Sequence, residues 1–162
     1  ELIKKKKQKK IKRRKVIKCL VQADLWDGDP DIDAVCRITQ MPELEFKPFK
    51  PFASKKIAPF NSQNTFLHRE IIPYYMVIPH VGRMDDIWGA YALQQDMRDV
   101  YEDFVLYNQA TVYQDRNDHD LTLDMEQEMI GYKLNPHLIT NGYESVLPEK
   151  ASKAFSIYKN SF

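Results

Sequence analysis

Apolar residues first gather at Val16, Ile17, Cys19, Leu20 and Val21, a short run within residues 15–22 that predicts a buried strand. Residues 24–33 then place five acids in ten positions around Gly28 and Pro30, which predicts a turn. Ala34 to Ile38 begins another short element. From Met41 to Pro59, Pro42, Pro48, Pro51 and Pro59 interleave with Phe46, Phe49 and Phe52, so the stretch reads as an extended connection or edge strand. His68 to Ile72 predicts a short helix stopped by Pro73, and Tyr74 to Ile78 is apolar and aromatic. The clearest periodicity runs from Asp85 to about Tyr107. Apolar positions 93, 97, 100, 101 and 104 recur at helical spacing, with Gln94, Gln95, Arg98, Asp99, Glu102 and Asp103 on the opposite face. Ala110 to Tyr113 predicts a strand, residues 120–132 a second helix and Glu149 to about Lys159 a third.

At 162 residues and 43% hydrophobic content the chain can bury one ordinary core, so residues 16–162 are expected to form a single domain behind a basic arm at 1–15. Its net charge of +1 conceals an asymmetry. Residues 1–18 hold 11 of the 24 Lys and Arg against Glu1 alone, leaving the remainder at −9. Residues 4–18 therefore suit contact with a polyanion, whereas the acidic body is not itself a nucleic-acid module. Two cysteines without a CxxC pair, no signal-type core and no apolar run of membrane-spanning length predict a reducing, cytoplasmic setting. The five glycines are scattered, which excludes a Rossmann fingerprint and a phosphate loop within these residues.

Candidate chemistry centres on Gly82-Arg83-Met84-Asp85-Asp86-Ile87-Trp88, which sets two carboxylates at the start of the long predicted helix. Unpaired N–H groups and the helix dipole keep such acids ionised and aimed, so Asp86 is a candidate base of low pKa and Asp85 a cap; the plainer alternative is that both only serve the helix terminus. Arg83 and Trp88 flank the pair as candidate substrate-binding residues. Asp27-Gly28-Asp29 matches a DxD pattern that could hold Mn²⁺ or Mg²⁺, against the plainer reading of an Asx-type turn; an EF-hand counted from Asp27 fails at Ile32 and Ile38. His119 is a candidate metal ligand or proton shuttle, or else a capping residue. Asn61, Ser62, Gln63 and Asn64 form an uncharged row of donors and acceptors suited to sugar hydroxyls, or to the loop's own backbone.

In their order these pieces resemble the reversibly glycosylated polypeptides, the UDP-arabinopyranose mutase family, and through them the GT-A nucleotide-sugar glycosyltransferases. Gly82 to Trp88 is similar to that family's Gly-Arg-Tyr-Asp-Asp-Met-Trp, and Leu25-Trp26 with Pro30-Asp31-Ile32-Asp33-Ala34 to its Leu-Trp and Pro-Asp-Tyr-Asp-Ala. Phe60 to Glu70 is similar to a third segment. The resemblance, over about residues 14–130, implies an α/β, mixed-sheet GT-A-like domain that carries the acceptor-side part and lacks part of the nucleotide-binding half. It implies transfer or rearrangement of a sugar from a nucleotide-sugar donor to a carbohydrate or protein acceptor, with Asp86 as base or sugar-orienting carboxylate and Asn61, Gln63 and Asn64 lining the pocket. Asp27 and Asp29 depart from it, falling where the family has no metal-holding acids, and Gln114 stands where the family has a His. A different class of function, a non-catalytic binding or scaffold protein whose basic arm docks on nucleic acid or an anionic surface such as a membrane, predicts binding that weakens steeply with salt.

Overall fold

The computed structural model describes residues 19–54, 56–98, 100 and 105–162; the basic arm lies outside them. The fold is α/β. β1 (Val21–Gly28) and β4 (Val105–Gln114) pair in parallel at the centre of a mixed four-stranded sheet. β2 (Phe52–Ser54) flanks β4 and β3 (Thr65–Leu67) flanks β1, both antiparallel, giving the order β2-β4-β1-β3. The helices are α1 (Ala34–Gln40), α2 (Asp85–Met97), α3 (Leu121–Asn141) and α4 (Glu149–Lys159), with 3₁₀ turns at Arg69–Tyr74, Gly82–Met84 and Tyr143–Ser145. No helix among the described residues is long and apolar enough to cross a membrane.

Three expectations change. The acid-rich stretch is strand as far as Gly28, because pairing with β4 satisfies its backbone along its whole length and leaves only residues 29–33 as connection. The long helix stops at Met97. Val105 and Tyr107, read as its continuation, instead belong to β4, since their spacing fits a strand period equally well and pairing with β1 buries Val105 completely. Val100, also assigned to the apolar stripe, is 65% exposed, while Tyr101 and Phe104 lie outside the described residues. The second helix runs on to Asn141 with Pro136 inside it.

α2 is buried on both flanks. Ala90, Leu93 and Met97 pack on the sheet with Leu20, Val21, Ala23 and Val105. Trp88, Tyr91 and Ala92 pack instead with Leu138, Tyr143, Ala151 and Phe155 from α3, its following turn and α4. Of the predicted polar face, Gln94 and Gln95 engage neighbouring backbone, Arg98 is exposed, and Asp99, Glu102 and Asp103 lie outside the described residues. Gln94, 4% exposed, accepts from the Ala58 N–H at 3.0 Å and donates to the Ala58 carbonyl at 2.7 Å, while Gln95 donates to the Leu138 carbonyl at 2.8 Å and accepts from the Tyr143 N–H at 3.0 Å. Both amides satisfy backbone groups that packing against α2 would otherwise strand without water.

Gly89 sets how closely α2 can lie against the segment before it, because a Cβ there would sit 2.3 Å from the Met76 carbonyl oxygen. At Gly131 the corresponding clash, 2.1 Å, is with the flexible Met84 thioether. Both substitutions to alanine gain about 1 kcal/mol of helix propensity. Gly89→Ala is nevertheless expected to lose about 3 kcal/mol through a backbone displacement, and Gly131→Ala distinctly less. Urea unfolding midpoints of the two variants check this ordering.

Candidate functional site

The Asp-Asp motif opens α2 as a sequence of turn, acid, acid. Gly82 adopts φ +60°, a left-handed conformation that favours glycine, and a Cβ there would meet the Gln127 side chain at 2.5 Å. Asp85 is the first residue of α2, not its cap. Met84 holds the cap position without a side-chain hydrogen bond, and Asp85 Oδ1 accepts from the Asp86 N–H at 2.8 Å. Asp86 Oδ2 reaches back across the chain, accepting from the Ser62 N–H at 2.8 Å and the Ser62 hydroxyl at 3.3 Å.

The expected low pKa of Asp86 is reversed. Burial pushes its carboxyl up, the Ser62 N–H pulls it back, and the negative charges of Asp85 and Asp31 add to the upward shift, leaving it above the ordinary carboxylate value. The Tyr75 hydroxyl, which feels the charge of Asp86, is buried with no hydrogen-bond partner among the described residues. Burial first, then the charges of Asp86 and Asp85, hold that phenol far above its usual range.

Asp86 stands between two clefts. One, of about 350 Å³, is mainly apolar, with Trp26, Phe60, Tyr107 and Tyr132 among its walls. The other, about 320 Å³, is polar and includes Ser62, Gln63, Asp85 and Arg116. Asp31, Arg83 and Asp86 line both. The strand β1 contributes through an irregularity in its pairing: register shifts after Asp24 and after Leu25 leave Gln109 and Thr111 of β4 without a partner opposite. Thr111 then donates to Asp24 Oδ2 at 3.2 Å and accepts from Asn64 Nδ2 at 3.0 Å, fixing Asp24 at the cleft.

A charge network closes the cleft's far side. Arg83 Nε donates to Glu128 Oε1 at 2.7 Å, and its guanidinium lies 3.4 Å from Asp124 and 3.8 Å from Asp31. Burial would lower the Arg83 pKa, but the hydrogen bond to Glu128 and the charges of Asp124, Glu128 and Asp31 outweigh it, so the guanidinium is held more firmly charged. Glu128, 4% exposed, also accepts from the Ala34 N–H at 2.7 Å and so anchors the start of α1. Arg116 pairs with Asp31, and His119 lies 3.3 Å from Asp124.

The structure brings together Asp86, Asn61 and Arg83 at the apolar cleft and Asp85 and Gln63 at the polar one. Trp88 does not join them: it is 2% exposed in the helical core, its indole N–H donating to Asn135 at 2.7 Å. Asn64 is spent within the sheet, donating to the Leu25 carbonyl at 2.9 Å and to the Thr111 hydroxyl at 3.0 Å. Nor do Asp27, Asp29 and His119 converge. Asp27 accepts from the Phe46 N–H at 2.8 Å, Asp29 pairs with Arg37 at 2.6 Å, and His119 faces Asp124. No group of three His, Cys, Asp or Glu side chains among the described residues is arranged to hold one.

Sequence reasoning missed Asp24, Asp31, Arg116 and Glu128 as site residues. Glu128 shares its helix face with Asp124, Gly131, Asn135 and Leu138, a row too polar in sequence to mark that face as inward. The others become site residues only through long-range pairing.

Because the folded state favours protonated Asp86, ionising it costs stability as pH rises above the ordinary carboxylate range. Asp86→Asn, whose amide oxygen can still accept from Ser62, is expected to melt at or above the parent temperature at neutral pH. The difference should shrink as pH falls toward about 4, where the unfolded-state carboxyl also binds its proton. Thermal unfolding of both proteins across that range checks the sign.

No family model matches this chain, and no curated protein matches it.

Proposed function

We propose that this chain carries the acceptor side of a glycosyl-transfer site, as part of a GT-A-like glycosyltransferase using a nucleotide-sugar donor. The observation that carries the reading is Asp86: an oriented, half-buried carboxylate without an ion-pair partner among the described residues, shared by an apolar and a polar cleft. Flat apolar walls beside hydrogen-bonding carboxylates and an amide, here Asn61, match the two faces of a sugar ring. The mixed α/β sheet and the sequence resemblance around Gly82 to Trp88 support the same reading.

In the proposed step an acceptor hydroxyl sits against Asp86. Its oxygen forms the bond to the anomeric carbon as its proton passes to the Asp86 carboxylate, and the bond from that carbon to the diphosphate oxygen breaks with its electron pair leaving on the diphosphate. Ser62 holds Oδ2, so the remaining oxygen, Oδ1, is the one that receives the proton. A raised pKa makes Asp86 a better proton acceptor than an ordinary surface Asp. Arg83, committed to Glu128, Asp124 and Asp31, serves the wall of the cleft more than the substrate.

Two outcomes test this. A panel of UDP- and GDP-sugars, with and without Mn²⁺, is expected to contain a donor that raises the melting temperature and supports transfer, since a ligand selective for the folded state must stabilise it. With that donor, Asp86→Asn is expected to lower kcat by about 10²- to 10⁴-fold while the protein stays folded, and the parent's rate should climb with pH along a limb displaced above the ordinary carboxylate range. Undiminished turnover in the variant would remove Asp86 from the chemistry.

A further inference from the structure

We infer that the ligand group held in the apolar cleft is an aminated sugar, bound through a protonated amine. This rests on the reading of that cleft as a carbohydrate site and adds the charge of its occupant. Five carboxylates, Asp24, Asp31, Asp33, Asp86 and Glu128, line the cleft against one guanidinium, Arg83. Three of the five are already engaged. Asp31 pairs with Arg116, Glu128 with Arg83, and Asp33 caps α1 by accepting from the Cys36 N–H at 2.9 Å.

Asp24 and Asp86 differ from Asp31 and Glu128 in having no cationic partner among the described residues, and from Asp33 in capping no helix. Each is fixed in place by neutral donors alone: Asp24 by Gln22 Nε2 at 2.8 Å and Thr111 Oγ1 at 3.2 Å, Asp86 by Ser62. Such donors orient a carboxylate without cancelling its charge, and neither residue has an ion-pair partner among the described residues. One stands on β1 and the other on α2, so the two negative charges come from separate elements onto one space. The rest of the wall agrees in sign. Trp26, Phe60, Tyr107 and Tyr132 line the same space, and aromatic rings attract a cation brought out of water where a face is open to it.

The same arrangement works against an anion. A phosphate within this cleft would face Asp24 and Asp86 with Arg83 already committed elsewhere, and like charges in a partly desolvated space cost affinity. The diphosphate of a donor therefore lies outside the apolar cleft, whose occupant is the amine-bearing sugar.

Calorimetric titration of the full chain with glucosamine, glucose and glucose 6-phosphate, at neutral pH and matched ionic strength, tests this directly. Glucosamine is expected to bind about tenfold more tightly than glucose, and glucose 6-phosphate more weakly than either. Asp24→Asn should reduce the preference for the amine to about twofold. Added salt should weaken glucosamine and leave glucose unchanged, a readout that needs no variant and decides the matter if Asp24→Asn proves unfolded by circular dichroism. Equal binding of glucosamine and glucose, or tighter binding of the phosphate, overturns the amine and leaves the carbohydrate reading standing. Binding of none of the three overturns both.

Discussion

The burial of α2 on both of its flanks is the constraint from which the rest of the molecule follows. A helix with one wet face can slide or roll by a few degrees at little cost, but α2 is pressed between the sheet and the α3–α4 side, and close packing on both sides removes that freedom. Gln94 and Gln95 then bind the backbone of its neighbours at fixed places along its length. The direction in which the first turn of α2 points is set by this packing, and with it the place of Asp86. Ser62 only completes the last step, selecting which oxygen is engaged.

The second organising feature is electrostatic. Burying Glu128 is tolerable because Arg83 and the Ala34 N–H share its oxygens, and removing either partner would leave a charge or a donor without compensation. The ion pair therefore ties three pieces of chain together: the turn before α2, the middle of α3 and the start of α1. Its contribution is better described as registration than as net stability, since buried ion pairs give back much of their attraction in lost hydration. Around it the cleft keeps its acids at separate distances from positive charge, so chemically identical side chains differ in what they can do.

How much of this was legible in the sequence depended on the range of the interaction concerned. Local signals served well: α4 spans the residues its pattern predicts, and the motif at Gly82 to Trp88 does open a helix with its acids leading. Where periodicity was ambiguous, pairing decided it. Val105 and Tyr107 satisfy both a helical and a strand spacing, and only the parallel partner β1, some eighty residues earlier in the chain, distinguishes the two. Trp88 illustrates the same limit at the site: two positions after Asp86 it lies about 200° around the helix from that carboxylate, here in the core. Asp24 could not be recognised because its role depends on the displaced Thr111 of another strand. The pKa of Asp86 was misjudged for a related reason, since the helix terminus was visible in sequence and the desolvation was not.

The outermost strands of the sheet, β2 and β3, are three residues each, beside central strands of eight and ten. On β2 and β3 themselves an incoming chain would find only three residues of unfilled backbone, too short to template cooperative zippering, although among the described residues β4 beyond Tyr107 has no strand on its β2 side. The exposed rings of Phe52 and Phe66 sit on those borders, yet they offer side-chain stickiness without the main-chain ladder that would propagate it. Brevity at the margins thus makes the two outer strands poor templates for sheet extension beside the parallel β1–β4 centre.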